Sequence, residues 1–253
     1  MNMMLRHIQT FLEAQAAELD AATNTQLAYA RDLKDFAAWL ARKKLNFDTA
    51  TRENIEAYLV DCDIMGLARA TRARRLAAIR QLYRFGFDEG WRGDNPAILI
   101  KGPGRDKRLP KTLSEREVEQ LLTASRDSGQ NPNDRLRNAC LMELLYATGM
   151  RVSELVSLPV ASARGDPRML LIRGKGGKER MVPLSPPARV ALQDWLAVWD
   201  QKDDAGRAKG ITTPRFLFPT SSKEGHLTRH RFYTLIKEFA VVGGVSPSRV
   251  TPH

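Results

Sequence analysis

The 253-residue chain is poor in cysteine, in acidic residues relative to basic ones and in long apolar runs. Its two cysteines, Cys62 and Cys140, lie far apart, which excludes a secreted disulfide scaffold and a cysteine-rich zinc site. No run approaches the roughly 18 apolar residues of a membrane span. The start, MNMMLRHIQTFLEAQAAELD, lacks the apolar core of a signal peptide and predicts an amphipathic helix. We therefore expect a cytoplasmic protein with reduced thiols and no membrane insertion.

Acidic residues are outnumbered, 29 against 40 Lys and Arg, which gives a formal net charge of +11. Such an excess indicates a polyanionic partner, either nucleic acid or an anionic membrane surface. Residues 1–100 are nearly balanced, so the excess belongs to residues 101–253. A hydrophobic content of 43% is typical of a globular chain, and the length favours two domains.

The segment KGPGRDKRLPK, residues 101–111, holds five basic residues, one acid, two glycines and two prolines. Glycine and proline at this density end helices and mark linkers. We predict a basic linker between an N-terminal domain, residues 1–100, and a C-terminal domain, residues 112–253. The alternative is a basic surface loop inside one domain.

Residues 1–100 are predicted to be helical throughout, and one segment of them is strongly basic. ATRARRLAAIRQLYRFGFDEG has an apolar stripe at helical spacing and no acid between Asp63 and Asp88. A helix with charges of one sign suits a duplex flanked by phosphates, because like charges repel on an ordinary solvated face. The predicted DNA contacts are Arg72, Arg74, Arg75, Arg80 and Arg84. The alternative is a solvated helix face.

The C-terminal part has a mixed pattern. Ser114 and Glu117 form a capping-box sequence, and RNACLMELLYATG, residues 137–149, predicts a core helix that ends at Gly149. RMLLIRGKGGKERMVPL, residues 168–184, predicts a β-hairpin around a glycine-rich turn. Helices are predicted over 186–200 and 227–242, with a loop over 201–215. The fold class is therefore mainly α, with an all-α N-terminal bundle and a mixed α/β C-terminal domain that contains a small antiparallel sheet.

ATGMRVSEL is the first segment that carries candidate chemistry. Arg151 follows the end of the core helix and lies at the start of the next one, where its guanidinium and free backbone N–H groups can hold a phosphate. Glu154, three residues later, can orient Arg151 or cap the helix. A surface Arg–Glu pair is the alternative interpretation.

RGKGGKER is the second such segment. Lys175 and Lys178 lie at the predicted hairpin turn, where flanking glycines allow close approach to a ligand. A Walker A phosphate loop is excluded because Ile172 replaces its first glycine and Glu179 follows Lys178. The alternative is a basic turn that only aids solubility.

Taken together in this order, LLYATGMRVSELVSL and GKGGKERMVPL resemble the catalytic domain of the tyrosine recombinases, also called phage-type integrases. RLPKTLSEREVEQLL, FLFPT and LTRHRFYTLIKEFA extend the resemblance, and NTQLAYARDLKDFAAWL resembles the family's core-binding domain. The XerC/XerD branch is the most similar, with YATGMRVSEL and LTRHRFY closer to its XerD side. The resemblance implies an N-terminal SAM-like core-binding domain and site-specific DNA recombination through a 3′-phosphotyrosyl intermediate, without metal or cofactor.

The resemblance also implies roles for individual residues. Arg151 matches the first catalytic arginine, which binds the scissile phosphate, and Glu154 matches the acid that supports it. Lys175 matches the hairpin lysine that protonates the 5′ leaving oxygen. SPSRVTPH resembles the start of an H-x-x-R motif, so His253 is expected to contact the phosphate. The second arginine and the nucleophilic tyrosine are then expected beyond residue 253, so that residues 1–253 alone bind DNA without cleaving it.

The implied partners are a double-stranded recombination site, a XerC-like sister recombinase in a heterotetramer and the FtsK translocase. The implied role is the resolution of chromosome or plasmid dimers at cell division. Two domains can close on a duplex as a clamp, with further DNA contacts predicted at Lys107, Arg108, Lys178, Arg229 and Arg231. For the last two, an exposed helix start is an equal alternative. A non-catalytic architectural or regulatory DNA-binding protein and a type IB topoisomerase are the alternative functions.

Overall fold

A computed structural model describes residues 2–18, 23–104, 112–166, 168–174 and 177–251 of the chain. It divides into two compact units, Met1–Arg108 and Leu109–His253. Most of the predicted linker, residues 105–111, lies outside the described residues, so the linker and its exact domain boundaries stay predictions.

The first unit is built from helices. Within the described residues they are α1 (Asn2–Glu18), α2 (Thr23–Arg42), α3 (Arg52–Ile64) and α4 (Arg69–Asp88). The predicted amphipathic helix at the start of the chain is confirmed as α1. Thr51 caps α3, because its hydroxyl accepts from the backbone N–H of Asn54, whose side chain in turn accepts from the N–H of Thr51.

Apolar stripes of these helices meet in one core. Phe11 of α1, Phe36 of α2, Tyr58 of α3 and Tyr83 of α4 are all buried. The rings of Phe36 and Tyr58 lie 4.9 Å apart, centroid to centroid. Large side chains from each helix therefore share the hydrophobic core that fixes the bundle.

The second unit combines helices with one β-hairpin. Its described elements are α5 (Glu115–Asp127), α6 (Pro132–Thr148), α7 (Val152–Val156), α8 (Val160–Ala163), β1 (Met169–Arg173), β2 (Glu179–Pro183), α9 (Pro186–Arg207) and α10 (Arg229–Val242). The capping box of Ser114 and Glu117 is confirmed at the start of α5. Helix α6 is a core helix as predicted, but it begins at Pro132, after an Asn131 cap, rather than near 137.

The predicted hairpin is confirmed. Strands β1 and β2 pair antiparallel with Ile172 opposite Arg180 and Arg173 opposite Glu179, so their connection spans residues 174–178. Leu170 and Ile172 face the core that α6, α9 and α10 also line. The expectation of a mainly α fold, with a small antiparallel sheet in the second unit, is therefore confirmed.

The prediction of a loop over 201–215 is wrong for its first half, because α9 continues to Arg207. The helix persists because Asp203 is buried and accepts a hydrogen bond from Nε of Arg207 at 2.8 Å. Trp199, one turn earlier, is buried and donates to the carbonyl of Phe216 at 3.1 Å. Tertiary contacts thus stabilise the last turns of α9, whose polar sequence lacks a strong apolar pattern.

Candidate functional site

Arg151 begins helix α7, at a sharp change of chain direction. Gly149 ends α6 with φ = 57°, a left-handed conformation that glycine adopts without strain. Two residues later Arg151 is the N-cap of α7, and its side chain is 65% exposed. The predicted position of Arg151 at a helix start is therefore confirmed, with its guanidinium open to solvent.

Glu154 holds Arg151 at two points. Its Oε2 accepts from the backbone N–H of Arg151 at 2.9 Å, and its Oε1 accepts from Nη1 of Arg151 at 3.0 Å. The carboxylate therefore both caps the helix and orients the arginine, the two roles considered for it from the sequence. The side chain of Glu154 is only 6% exposed, so the pair is not an ordinary surface ion pair.

A second arginine binds the same carboxylate. Arg180, on strand β2, donates from Nη2 to Oε2 of Glu154 at 2.8 Å and from Nη1 to Oε1 at 3.3 Å. These hydrogen bonds are the main cause that lowers the pKa of Glu154 from 4.5 to about 2, and the donors of Arg151 add to it. The carboxylate therefore stays ionised at neutral pH.

The hairpin turn lies beside this cluster. A Cβ on Gly174 would be 3.2 Å from Nη1 of Arg180 and 3.4 Å from Oε1 of Glu154, closer than ordinary side-chain contacts. The N–H of Gly174 donates to the carbonyl of Lys178 at 2.7 Å, which closes the turn. Gly177 has φ = 72°. Lys175 and Gly176 lie outside the described residues, while Lys178 is exposed.

Arg180 is the site residue that sequence reasoning missed. A signal for it was present, because side chains alternate between the two faces of a strand. In β2 Arg180 and Val182 are the less exposed positions, whereas Glu179 and Met181 face solvent. An arginine on the inward-facing side of a strand indicates a buried carboxylate partner, because buried charges are usually paired.

His253 lies outside the described residues, but the segment before it is held from two sides. Lys237 of α10 donates from Nζ to the carbonyls of Pro247 and Val250. Arg249 reaches the start of α5, where its guanidinium contacts Glu117 and donates to the carbonyl of Thr112 at 3.1 Å. These contacts fix the chain up to Val250, which is buried.

Two of the predicted DNA-contacting arginines of α4 are engaged in buried or half-buried contacts. Arg75 donates to Asp35 and, at 2.8 Å, to the hydroxyl of Tyr58. Arg72 pairs with Asp63 of α3 at 2.8 Å and is mostly buried. The acidic partners of these two arginines belong to α2 and α3. The spacing of residues within α4 gave no indication of them.

The other predicted arginines differ in how firmly they are held. Arg74 pairs with the buried Asp32, and Arg80 donates to the carbonyl of Ile100. Arg84 is 72% exposed, with Asp88 of its own helix 3.7 Å away. DNA contact by these arginines stays a prediction, and Arg84 is the one whose guanidinium the bundle leaves most open.

Two further predicted contacts lie in the second unit. Arg229 and Arg231 are exposed in the first turn of α10, where the hydroxyl of Thr228 caps the helix. Arg231 pairs with Glu238 at 2.7 Å. Lys107 and Arg108 lie outside the described residues.

Two further features bear on chemistry and location. Among the described residues, no cluster of three or more His, Cys, Asp or Glu side chains is arranged to hold a metal ion. Over the same residues, no helix has both the length and the apolar character that a membrane crossing needs.

Comparisons with known proteins cover nearly the whole chain. The phage integrase family profile matches residues 111–253, and the profile of the phage integrase N-terminal SAM-like domain matches residues 7–90. The tyrosine recombinase XerD of Bradyrhizobium diazoefficiens is 44% identical over 96% of this chain and 78% of its own length. That of Caulobacter vibrioides is 42% identical over the same shares.

Solved structures show the same fold. A XerH site-specific recombinase bound to its difH substrate, in a pre-cleavage complex, matches with a TM-score of 0.72 and 19% identity, over 99% of this chain and 81% of that one. A lambda integrase fragment bound to DNA matches with a TM-score of 0.65 and 15% identity, over 96% and 79%.

Proposed function

Since the chain belongs to the phage integrase family of tyrosine recombinases, the site-specific recombination enzymes that cleave and rejoin DNA, we propose that Arg151 and Lys175 act on one phosphodiester of a duplex. The observation that carries this proposal is the position of Glu154. Its carboxylate binds Arg151 on one side and hairpin Arg180 on the other, beside Gly174. Lys175 follows Gly174 directly in the chain, which supports its proposed position close to Arg151.

Arg151 is the proposed phosphate-binding group. A guanidinium stays charged at any working pH and presents donors in a planar fork that matches two phosphate oxygens. Glu154 accepts from only one of its Nη atoms, and the side chain is largely exposed. Arg151 can therefore disperse the negative charge that develops on the non-bridging oxygens during attack.

Lys175 is the proposed proton donor. In the cleavage step a tyrosine oxygen forms a bond to phosphorus while the bond from phosphorus to the 5′ oxygen breaks. The 5′ oxygen takes a proton from the Lys175 ammonium and leaves as a hydroxyl. The resulting 3′-phosphotyrosyl bond keeps the energy of the phosphodiester, so that the reverse steps rejoin the strand. His253 is the proposed further phosphate contact and aid to proton transfer.

The proposed substrate is a pair of double-stranded recombination sites, held by an assembly of recombinase subunits. The similarity to XerD proteins supports a partnership with a XerC-like sister recombinase in a heterotetramer, control by an FtsK translocase and a role in resolving chromosome or plasmid dimers at cell division. A cytoplasmic location agrees with such a substrate. The basic excess of residues 101–253 supports binding to the DNA backbone.

Trapping the covalent intermediate tests this function. The full-length protein is incubated with a duplex that carries its site, selected from random-sequence duplexes, and a nick that lets the cleaved fragment diffuse away. We expect a covalent protein–DNA adduct. Arg151→Ala should slow its formation by at least about 10²-fold while DNA affinity stays within about tenfold.

Arg164→Ala is the matched control, because Arg164 forms an ion pair with Asp200 on the same unit and is not proposed to touch DNA. It should form adduct at the wild-type rate. Tight binding of the selected site without any adduct would contradict the enzyme and favour an architectural DNA-binding protein. A large loss of affinity in Arg151→Ala would instead make Arg151 a docking residue.

A further inference from the structure

We propose that Arg180 is a positioning residue that ties the hairpin carrying Lys175 to helix α7 through Glu154, so that proton donation depends on it. The proposal rests on the proposed function and deepens it. In this proposal Arg180 acts through Glu154 and does not itself bind the phosphate or the reacting atoms.

Both carboxylate oxygens of Glu154 accept hydrogen bonds from Arg151 and from Arg180. Oε1 accepts from Nη1 of Arg151 and from Nη1 of Arg180, at 3.0 and 3.3 Å. Oε2 accepts from the backbone N–H of Arg151 and from Nη2 of Arg180, at 2.9 and 2.8 Å. Each carboxylate oxygen thus joins α7 to β2. Charge-assisted hydrogen bonds of this bidentate kind are both strong and directional.

The hairpin transmits this restraint to its turn. Arg180 is paired with Ile172, which is buried in the core of the unit. Two positions beyond Ile172 lies Gly174, whose N–H is bound to the carbonyl of Lys178. A Cβ at Gly174 would lie 3.2 Å from Nη1 of Arg180 and 3.4 Å from Oε1 of Glu154, so Gly174 lies directly against this pair. The residue immediately before Lys175 is therefore packed against the Arg180–Glu154 pair.

Loss of Arg180 affects the two sides of the site unequally. Without it, Glu154 still accepts both hydrogen bonds from Arg151, so that α7 keeps its cap and Arg151 its orientation. The hairpin turn, by contrast, loses its attachment to the carboxylate. A displacement of about 1 Å in a reacting group costs on the order of 10²-fold in rate. Loss of Arg180 should therefore impair proton donation by Lys175 rather than phosphate binding by Arg151.

A change of leaving group separates these two effects. Single-turnover cleavage by the full-length protein is measured on a duplex with oxygen at the 5′ leaving position and on one with sulfur there. A thiolate leaves without a proton because it is a much weaker base than an alkoxide. The variants are Arg180→Ala, Arg180→Lys, Lys175→Ala and Arg168→Ala. The last is the control, because Arg168 pairs with Asp166 at the opposite end of the same hairpin.

We expect Arg180→Ala to slow cleavage of the oxygen substrate by about 10²-fold and to cleave the sulfur substrate within a few-fold of wild type. Arg180→Lys keeps the charge but cannot form both hydrogen bonds, so it should show a smaller defect with the same rescue. Lys175→Ala should be rescued by sulfur in the same way. Arg168→Ala should match wild type on both substrates.

Each other outcome has a distinct meaning. If Lys175→Ala is rescued but Arg180→Ala and Arg180→Lys are equally slow on both substrates, the positioning role is wrong and Arg180 supports the fold or Arg151. Wild-type rates on both substrates for Arg180→Ala would also overturn it. If Lys175→Ala is not rescued, the proton-donor role of Lys175 itself fails, and the proposal for Arg180 fails with it.

Discussion

Arg249 and Glu117 are 132 positions apart in the chain, yet they form a two-point ion pair at the start of helix α5. Nη2 of Arg249 lies 3.2 Å from Oε2 of Glu117, whose other role is to cap that helix with Ser114. Together with Lys237, this pair fixes the segment that leads to His253. The approach to the predicted phosphate ligand is thus built from contacts between distant parts of the second unit.

Lys237→Met tests this anchor. The change leaves the carbonyls of Pro247 and Val250 without their charged donor, so the free energy of unfolding should fall by about 1–3 kcal/mol in urea denaturation. Cleavage should fall more than DNA affinity, because the segment before His253 loses its position. Lys223→Met, at an exposed loop position, serves as the control and should change neither. A Lys237→Met protein with wild-type stability and cleavage would show that the anchor is dispensable.

The low pKa of Glu154 makes the free energy of unfolding depend on pH. Its pKa is about 2 in the folded protein, mainly because of the hydrogen bonds from Arg180, against an ordinary value of 4.5. The unfolded chain therefore binds the proton more readily, so that the contribution of Glu154 is complete above pH 4.5 and is lost as the pH falls toward 2. The stability difference between wild type and Glu154→Gln should shrink over this range. A stability difference between these two proteins that does not change with pH would contradict the low pKa of Glu154.

The arginines of α4 should divide into structural and DNA-binding residues. Arg75→Ala leaves Asp35 and the Tyr58 hydroxyl without their guanidinium partner, which should destabilise the first unit by about 1–3 kcal/mol. Arg84→Ala should change stability by less than about 0.5 kcal/mol. It should instead weaken DNA binding and reduce the salt slope by about 1. An unchanged salt slope for Arg84→Ala would favour a solvated face.

The nucleophile is predicted to be none of the five tyrosines in residues 1–253. Tyr58 and Tyr83 are buried, whereas Tyr146 and Tyr233 are exposed. Tyr146→Phe and Tyr233→Phe in the full-length protein should nevertheless form the covalent adduct at the wild-type rate. Loss of the adduct in either variant would identify that tyrosine as the nucleophile.

Local signals predicted a large part of the fold. The hairpin, the Ser114–Glu117 capping box and the helix end at Gly149 follow from turn residues, caps and periodicity that act over a few positions. The same reasoning placed Arg151 at the start of a helix and Glu154 beside it. These features depend on residues a few positions apart, so the sequence of each short segment is enough to predict them.

Contacts between distant segments could not be predicted in this way. The acids Asp32 and Asp35 reach the arginines of α4 only because the bundle packs α2 against it. The later part of helix α9 is stabilised by the buried Trp199, which donates to the carbonyl of Phe216, 17 positions further along the chain. Arg180 meets Glu154 across the 26 positions that separate them, which no short motif records. The positions of Lys175 and His253 at the site stay predictions.

The Arg151 guanidinium and the Lys175 ammonium are proposed to meet at one phosphodiester. An experimental structure of the full-length protein on its uncleaved recombination site measures this directly. We expect Arg151 to donate to a non-bridging oxygen, and Lys175 to the 5′ oxygen, of the same phosphate, with Arg180 bound to Glu154 and away from the DNA. Arg151 and Lys175 on different phosphates, or Arg180 on the DNA backbone in place of Glu154, would contradict it.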